Sequence, residues 1–327
     1  MSDWHPTASL DALLLRHRLR SHIRRLFDDV GFIEVETPCL SSESVIDAHL
    51  DPIEVPFDRA AQSYLQTSPE AHMKRLLSAG APSIYQLTRS FRAGEIGDRH
   101  NPEFSMLEWY ALGWSIEDQI KFISRIVETS IVEAGLGSSR LFSLPRIVTY
   151  SELVRETTGI DALETAPMAC RDALIEHGIS IPADMNKSPL DDWLNLLWAG
   201  IVEPSLVHQG IVYVTDYPAS QAALARLSPS DPRVALRFEL YLNGLEICNG
   251  YDELTDPDEL DARMQSQQSL RTCLAKDPLR PPLRLIEAQR VHFPACTGVA
   301  LGFDRLMMWL IGSSQISDVI SFPWGRA

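Results

Sequence analysis

The sequence contains no CxxC pair, and its five cysteines, Cys39, Cys170, Cys248, Cys273 and Cys296, are odd in number and lie far apart. That pattern excludes a zinc ribbon and a disulfide framework and fits a reducing compartment. No apolar run is long enough to span a bilayer. The opening MSDWHPTASL lacks the basic-then-apolar plan of a secretory signal, so a cytoplasmic protein with no membrane partner is expected. Positive charge is scarce: Lys and Arg number 29 against 44 Asp and Glu, a formal net charge of −15. A general nucleic-acid coat needs a basic surface, so that class is disfavoured, although a local basic patch is compatible. Repeats and low-complexity tracts are absent. What is present, 45% hydrophobic and 22% charged residues over 327 positions, suffices for a sizeable core.

Residues 9–30 read as a helix, with Ser9 as N-cap and Gly31 just past the end. Leu10, Leu13, Leu14, Leu19, Ile23, Leu26 and Phe27 give it an apolar side, and Arg16, Arg18, Arg20, Arg24 and Arg25 make the rest basic. The preferred reading of those arginines is a solvated face; a nucleic-acid arm is the alternative. FIEVETP (32–38) reads as a strand ended by Pro38, and residues 136–210, with Pro and Gly punctuation, as an insertion or covering layer. From 211 the chain turns strand-rich, has a charged helical stretch near 256–276, and closes with a strand and helix in TGVALGFDRLMMWLIG. This order suits an α+β fold, an antiparallel sheet flanked by helices, in one domain spanning 1–327.

Three segments carry chemistry. FRAGEIGDRHNPEFSMLEWY (91–110) reads as two strands joined by a long turn, rich in acids, arginines and aromatics. In FELYLNGLEICNG (238–250), Asn243-Gly244 signals a two-residue hairpin turn. Leu242 then pairs with Leu245 and Tyr241 with Glu246, and Glu239 shares a face with Glu246, their Cβ atoms about 7–8 Å apart. Two such carboxylates suit Mg²⁺, or else form a solvated acidic face. In GVALGFDRLMMWL (298–310), glycines permit close backbone approach and Arg305 suits a polyphosphate; a core strand feeding a helix with an ion pair would look similar.

Together these segments resemble the catalytic domain of class II aminoacyl-tRNA synthetases. GFIEVETPCL is similar to the first signature, at the dimer interface; FRAGE and HNPEF to the second, the ATP hairpin; GVALGFDRL to the third. YLQTSPEAHMKRLL, RHNPEFSMLEWY, GLEICNGYDEL and DVISFPWGRA resemble the lysyl-tRNA synthetases in particular. The resemblance implies a homodimer that uses ATP and Mg²⁺. ATP would meet Arg92, Ala93, Gly94, Glu95, Asn101, Phe104, Glu246, Ile247, Gly302 and Arg305, the two arginines being catalytic; Glu239 and Glu246 would hold the metal. A lysine-type substrate would meet Ser68, Pro69, Glu70, Glu108, Tyr110, Asn249, Glu253 and Ala300, because its two ammonium groups require acids.

The sequence departs from that subgroup in three ways. About 30 residues precede the first signature, too few for an anticodon-binding barrel. The signature glutamate expected two residues after Arg92 is displaced: Gly94 stands there and the acid is Glu95, so either Glu95 or the backbone of Ala93 and Gly94 serves the adenine side. Ala300 stands where a glycine is usual. These departures resemble a truncated paralogous group, the elongation factor P–(R)-β-lysine ligases. They imply activation of (R)-β-lysine and its transfer to a lysine side chain of elongation factor P, with no tRNA. A truncated lysyl-tRNA synthetase-like enzyme with another acceptor, an amide ligase resembling asparagine synthetase, and a non-catalytic regulatory paralogue are the competing expectations.

Overall fold

A computed structural model describes residues 4–58, 61–137 and 145–327. They divide into two compact units, Met1–Arg140 with Glu253–Ala327, and Leu141–Asp252. In chain order the first unit begins with α1 (Leu10–Asp29), β1 (Ile33–Glu34), β2 (Leu40–Ser41), β3 (Ile53–Asp58), β4 (Ala61–Leu65), α2 (Glu70–Ser78), β5 (Ile84–Phe91), β6 (Glu103–Leu112) and α3 (Ile116–Glu133). The second unit holds β7 (Arg146–Thr149), α4 (Tyr150–Thr158), α5 (Pro167–Glu176), α6 (Leu190–Leu197), α7 (Glu203–Ser205), β8 (Ile211–Pro218), β9 (Val234–Leu242) and β10 (Leu245–Asp252). The chain then returns to the first unit with α8 (Pro257–Cys273), α9 (Leu283–Val291), β11 (Cys296–Gly302) and α10 (Phe303–Ile311).

In the first unit β6 lies between β5 and β11, antiparallel to both, and β1 pairs parallel with β5. The expected hairpin of 91–110 is therefore present, its first strand beginning at Ile84. Alternation sends successive β6 side chains to opposite faces. Leu107 and Trp109 go to the core, where Trp109 meets Phe27 and Phe122 at ring centroids 5.5 and 6.1 Å. Phe104, Met106, Glu108 and Tyr110 share the other face, joined by Gly298, Ala300 and Gly302, which pair with Tyr110, Glu108 and Met106. One sheet thus has an aromatic core on one side and the candidate chemistry on the other.

Helix α1 starts at Ser9, whose Oγ accepts from the Ala12 N–H, and Gly31 follows its end at φ +80°, as expected. Two expectations need correction. The strand 32–38 is only Ile33–Glu34: after the Val35 N–H donates to the Tyr85 carbonyl, Thr37 turns its hydroxyl to Gln86 and pairing stops. Nor is Arg16 on a solvated face, because it is drawn into an ion pair with the buried Asp304 at 2.6 Å.

In the second unit β9 lies between β10 and β8, antiparallel to both, and β7 pairs parallel with β8. Tyr150, Leu153 and Val154 of α4 and Leu194 and Leu197 of α6 close over Val212, Val214 and Tyr217 of β8. The Pro- and Gly-punctuated stretch before 211 thus covers a sheet face. Its residues 138–144 lie outside the described ones.

Candidate active site

Helix α2 begins on Pro69 and places Glu70 in its first turn, where a carboxylate is favoured by the helix dipole. Lys74 lies one turn on, so the two meet at i,i+4, Nζ 2.5 Å from Glu70 Oε1. The same ammonium lies 2.6 Å from Glu253 Oε2 and 5.8 Å from the centre of the Tyr110 ring. Glu108 accepts from the Ser68 hydroxyl and from the Tyr110 hydroxyl, each at 2.7 Å. Ser68 Oγ also accepts from the Glu70 N–H at 3.0 Å, which ties the loop to the helix start. Glu108, Glu253 and Lys74 are 2%, 1% and 1% exposed, so these charges face one another with little water between them.

Desolvation sets the titration here. Burial, then the charge of Glu70, pushes Glu108 up to about 7 against the hydrogen bonds of Ser68 and Tyr110. Burial pushes Glu253 up to about 8, against the pull of Lys74. For Lys74, burial alone would lower the ammonium, but Glu253 and Glu70 outweigh it and hold it charged. Gly298 is the tight point of the cluster. A Cβ there would come 2.2 Å from Glu253 Oε1 and 2.5 Å from Tyr110 Cε1, so a side chain at this position would displace one of them.

At the other end of the same β6 face lies the arginine hairpin. Phe104 and Glu108 are four residues apart, about 13 Å along a strand, room for a nucleotide end and an amino-acid end on one face. The Arg92 guanidinium lies over the Phe104 ring at 5.0 Å and 3.5 Å from Glu95 Oε1. Its Nε is buried without a protein acceptor, as expected of a group awaiting an anion. Gly94 turns the chain at φ +76°, a conformation that favours glycine, and this brings Glu95 back onto Arg92. The Ala93 N–H donates to the Asp51 carbonyl at 2.8 Å. Asp51 is itself gripped by Arg271 at 2.7 Å and Lys276 at 2.9 Å.

Asn101 makes structural ties: its Nδ2 donates to the Glu103 carbonyl and its Oδ1 accepts from the Trp324 N–H, so it anchors the C-terminal segment to the hairpin. Gly302 ends β11 and precedes α10. Arg305 donates to His100 Nε2 at 2.7 Å, so that nitrogen carries no proton, and burial beside Arg305 lowers the imidazole pKa accordingly. The neighbouring Asp304 faces away, accepting from the Ser105 N–H at 2.6 Å and pairing with Arg16.

The second unit carries its own acid hairpin. Leu242 pairs with Leu245 and Tyr241 with Glu246, as the Asn243-Gly244 turn requires. The register then shifts between Glu246 and Cys248, skipping Ile247, and Asn249 comes opposite Glu239. This β-bulge moves Asn249 onto the face that Glu239 and Glu246 share. The Asn249 Oδ1 is buried without a protein donor. Glu239 is not an isolated acid: Oε1 takes Arg237 at 2.5 Å and Oε2 the Tyr241 hydroxyl at 2.6 Å. Each oxygen keeps a second lone pair, so Glu239 and Glu246 still offer the hard oxygen donors that Mg²⁺ favours.

Sequence reasoning missed Lys74, Gly298, His100 and Asp51. The Glu70-x-x-x-Lys74 spacing was a signal for the first, and the HNPEF turn for His100. Asp51 and Gly298 act through contacts remote in sequence, which leave no local pattern.

A family model described as tRNA synthetases class II (D, K and N) matches residues 3–326. The chain is 39% identical over 331 residues to the elongation factor P–(R)-β-lysine ligase of Enterobacter sp. (strain 638), covering 99% of this chain and 98% of that protein. It is 40% identical over 333 residues to the protein of that name from Yersinia enterocolitica, covering 100% and 99%. With the one from Haemophilus ducreyi it shares 39% over 332 residues, covering 99% and 97%. The chain belongs to the class II tRNA synthetase family of the D, K and N type.

Proposed function

We propose that this chain is an ATP-dependent ligase that activates (R)-β-lysine as an aminoacyl-adenylate and passes it to a lysine side chain of elongation factor P, acting as a homodimer without tRNA. The observation that carries this reading is the acid cluster. Glu70, Glu108 and Glu253 bring three carboxyl groups and Lys74 one ammonium, so the ionised pocket leaves two negative charges for a ligand to answer. A lysine-type substrate carries two ammonium groups and one carboxylate. The relatives' shared name supplies the acceptor and the isomer.

In the first step an oxygen of the substrate carboxylate, ionised near neutral pH, attacks the α-phosphorus of ATP; the bond to the β-phosphate oxygen breaks and pyrophosphate leaves. No general base is needed. The protein's part is positioning and charge stabilisation. Arg92 meets the α-phosphate through its open Nε, Phe104 offers a ring to the adenine, and Arg305 with His100 meets the far phosphates. Glu239 and Glu246 are the residues that would hold Mg²⁺, an ion that supplies positive charge to a polyphosphate when bound. In the second step the neutral amine of the acceptor lysine attacks the carbonyl carbon, AMP leaves, and the nitrogen loses a proton.

Ala300 lies directly across from Glu108 on the shared face, so its methyl group narrows the floor beside that acid. β-Lysine carries its nearer amine one carbon further from the carboxylate than α-lysine does, and this methyl disfavours the α-isomer. Ala300→Gly should shift the α:β ratio of adenylate formation at least about fivefold toward α-lysine; an unchanged ratio sinks that assignment. The function itself is tested by intact-mass analysis of elongation factor P incubated with the protein, ATP, Mg²⁺ and α-lysine, (R)-β-lysine or neither. A gain of one lysyl unit, greatest with the β-isomer, is expected. Pyrophosphate exchange without transfer would mean a different acceptor, and neither activity would overturn the ligase reading.

A further inference from the structure

A buried lysine inside a pocket built for ammonium groups is a paradox of charge. Glu70 and Glu253 each give one oxygen to Lys74, at 2.5 and 2.6 Å. Glu253 Oε1 points instead at the gap above Gly298, and Glu108 is held by neutral donors, the hydroxyls of Ser68 and Tyr110. Among the described residues, Lys74 is the cation within ion-pair distance of these acids. It sits buried behind the carboxylates, with Met73 and Leu77 of its helix packed in the adjoining apolar cluster. A cation so placed cannot leave the site when a ligand arrives, because moving an unpaired ammonium into apolar surroundings is costly.

We propose that Lys74 is a specificity-determining residue that does not touch substrate: it is a resident cation that fixes the pocket's deficit at two positive charges, so that the pocket takes diammonium ligands and rejects amino acids with one ammonium. This deepens the proposed substrate class and rests on it. Without Lys74, the buried Glu108 and Glu253 and the part-buried Glu70 would face one another. Two ligand ammonium groups would leave one acid unanswered, and that acid would hold a proton. With Lys74, the same two groups neutralise the cluster. The lysine also points one oxygen of Glu70 and of Glu253 inward, which turns the other toward the ligand side.

The test is calorimetric binding of lysine, of 1,5-diaminopentane and of norleucine, in buffers of different ionisation enthalpy so that protons exchanged on binding are counted. The wild-type protein should prefer lysine to norleucine by about 100-fold or more. Lys74→Met should bind lysine at least about tenfold more weakly at pH 7 and differ from wild type by about one proton in the number exchanged. Lys74→Arg should keep the wild-type proton count and preference, and the double variant Lys74→Met/Glu70→Gln, which again leaves two negative charges, should restore the count. Lys74→Met with unchanged count and affinity overturns the proposal, as does loss of the preference in a folded Lys74→Arg. Should the Met variants not fold, the Lys74→Arg result decides. Binding of lysine and diaminopentane, with no transfer to elongation factor P when (R)-β-lysine, ATP and Mg²⁺ are supplied, would overturn the proposed reaction and leave the Lys74 assignment standing. Wild-type protein that binds norleucine as well as lysine would overturn the Lys74 assignment whatever the reaction.

Discussion

Glu108 and Glu253 keep their protons to about pH 7 and 8 because water has been removed from around them, so the ligand-free pocket is partly protonated near neutrality. A diammonium substrate binds the ionised form. Below these values it must displace protons to enter; above them it need not. Affinity for lysine or β-lysine should therefore rise as pH goes from 6 to about 8 and level off beyond, with protons released on binding, which titration calorimetry would show. A pH-independent affinity over that range would contradict the burial of the acids. Gly298→Ala places a carbon where Glu253 and Tyr110 already stand. It should raise KM for the amino acid about tenfold or more with less effect on kcat, and cost about 1–3 kcal/mol of stability by overpacking, measurable by steady-state kinetics and urea unfolding. The acids of this pocket were named from the sequence only through its resemblance to the lysyl-tRNA synthetases; taken alone, Glu253 in NGYDEL reads as a surface acid near a turn. Lys74 was not singled out, because an i,i+4 Glu-Lys pair next to an arginine in EAHMKRLL reads as solvated surface, and its second partner, Glu253, is remote in sequence.

The elements explain which local signals could be trusted. Asn243-Gly244 correctly set the first two pairs of its hairpin, because the turn dictates register next to itself. It did not reveal the bulge at Ile247, whose cause lies further along the strand, and without that extra residue Asn249 would face away from Glu239. The strand read at 32–38 failed for a related reason. β-Propensity runs through FIEVET, but a strand needs a neighbour, and the pairing with β5 ends after Val35. The opening of the arginine hairpin depends on Asp51, held by Arg271 and Lys276 and in turn holding Ala93. Asp51→Ala should raise KM for ATP about tenfold while changing KM for the amino acid by less than about threefold, as read by pyrophosphate exchange. An equal rise in both would assign Asp51 a general structural role. Because the Ala93 N–H is already bonded and Glu95 lies against Arg92, Glu95→Ala should depress adenylate formation. Full activity in that variant would return the adenine-side role to the backbone.

At the scale of the molecule, Leu10 and Leu14, one turn apart on α1, stand 71% and 47% exposed in the single chain, apolar side chains that the proposed homodimer would cover. If the protein is the proposed homodimer, Leu10→Glu with Leu14→Glu should shift the sedimentation coefficient toward that of a monomer; an unchanged value would remove these residues from the proposed contact. The α+β class and the order of the signatures were readable from the chain. That the first unit is assembled from two stretches, with the second unit between them, was half readable: the insertion read at 136–210 starts close to 141, but nothing in the strand-rich composition after 211 marks a boundary at 252. That arrangement has a consequence for birth on the ribosome. The Ser105 amide and the Asp304 carboxylate that receives it are 199 residues apart, and β6 waits equally long for β11. An N-terminal nascent chain therefore emerges with Glu108 on a strand lacking one neighbour and Lys74 lacking Glu253, exposed to chaperones and proteases until the last stretch is translated.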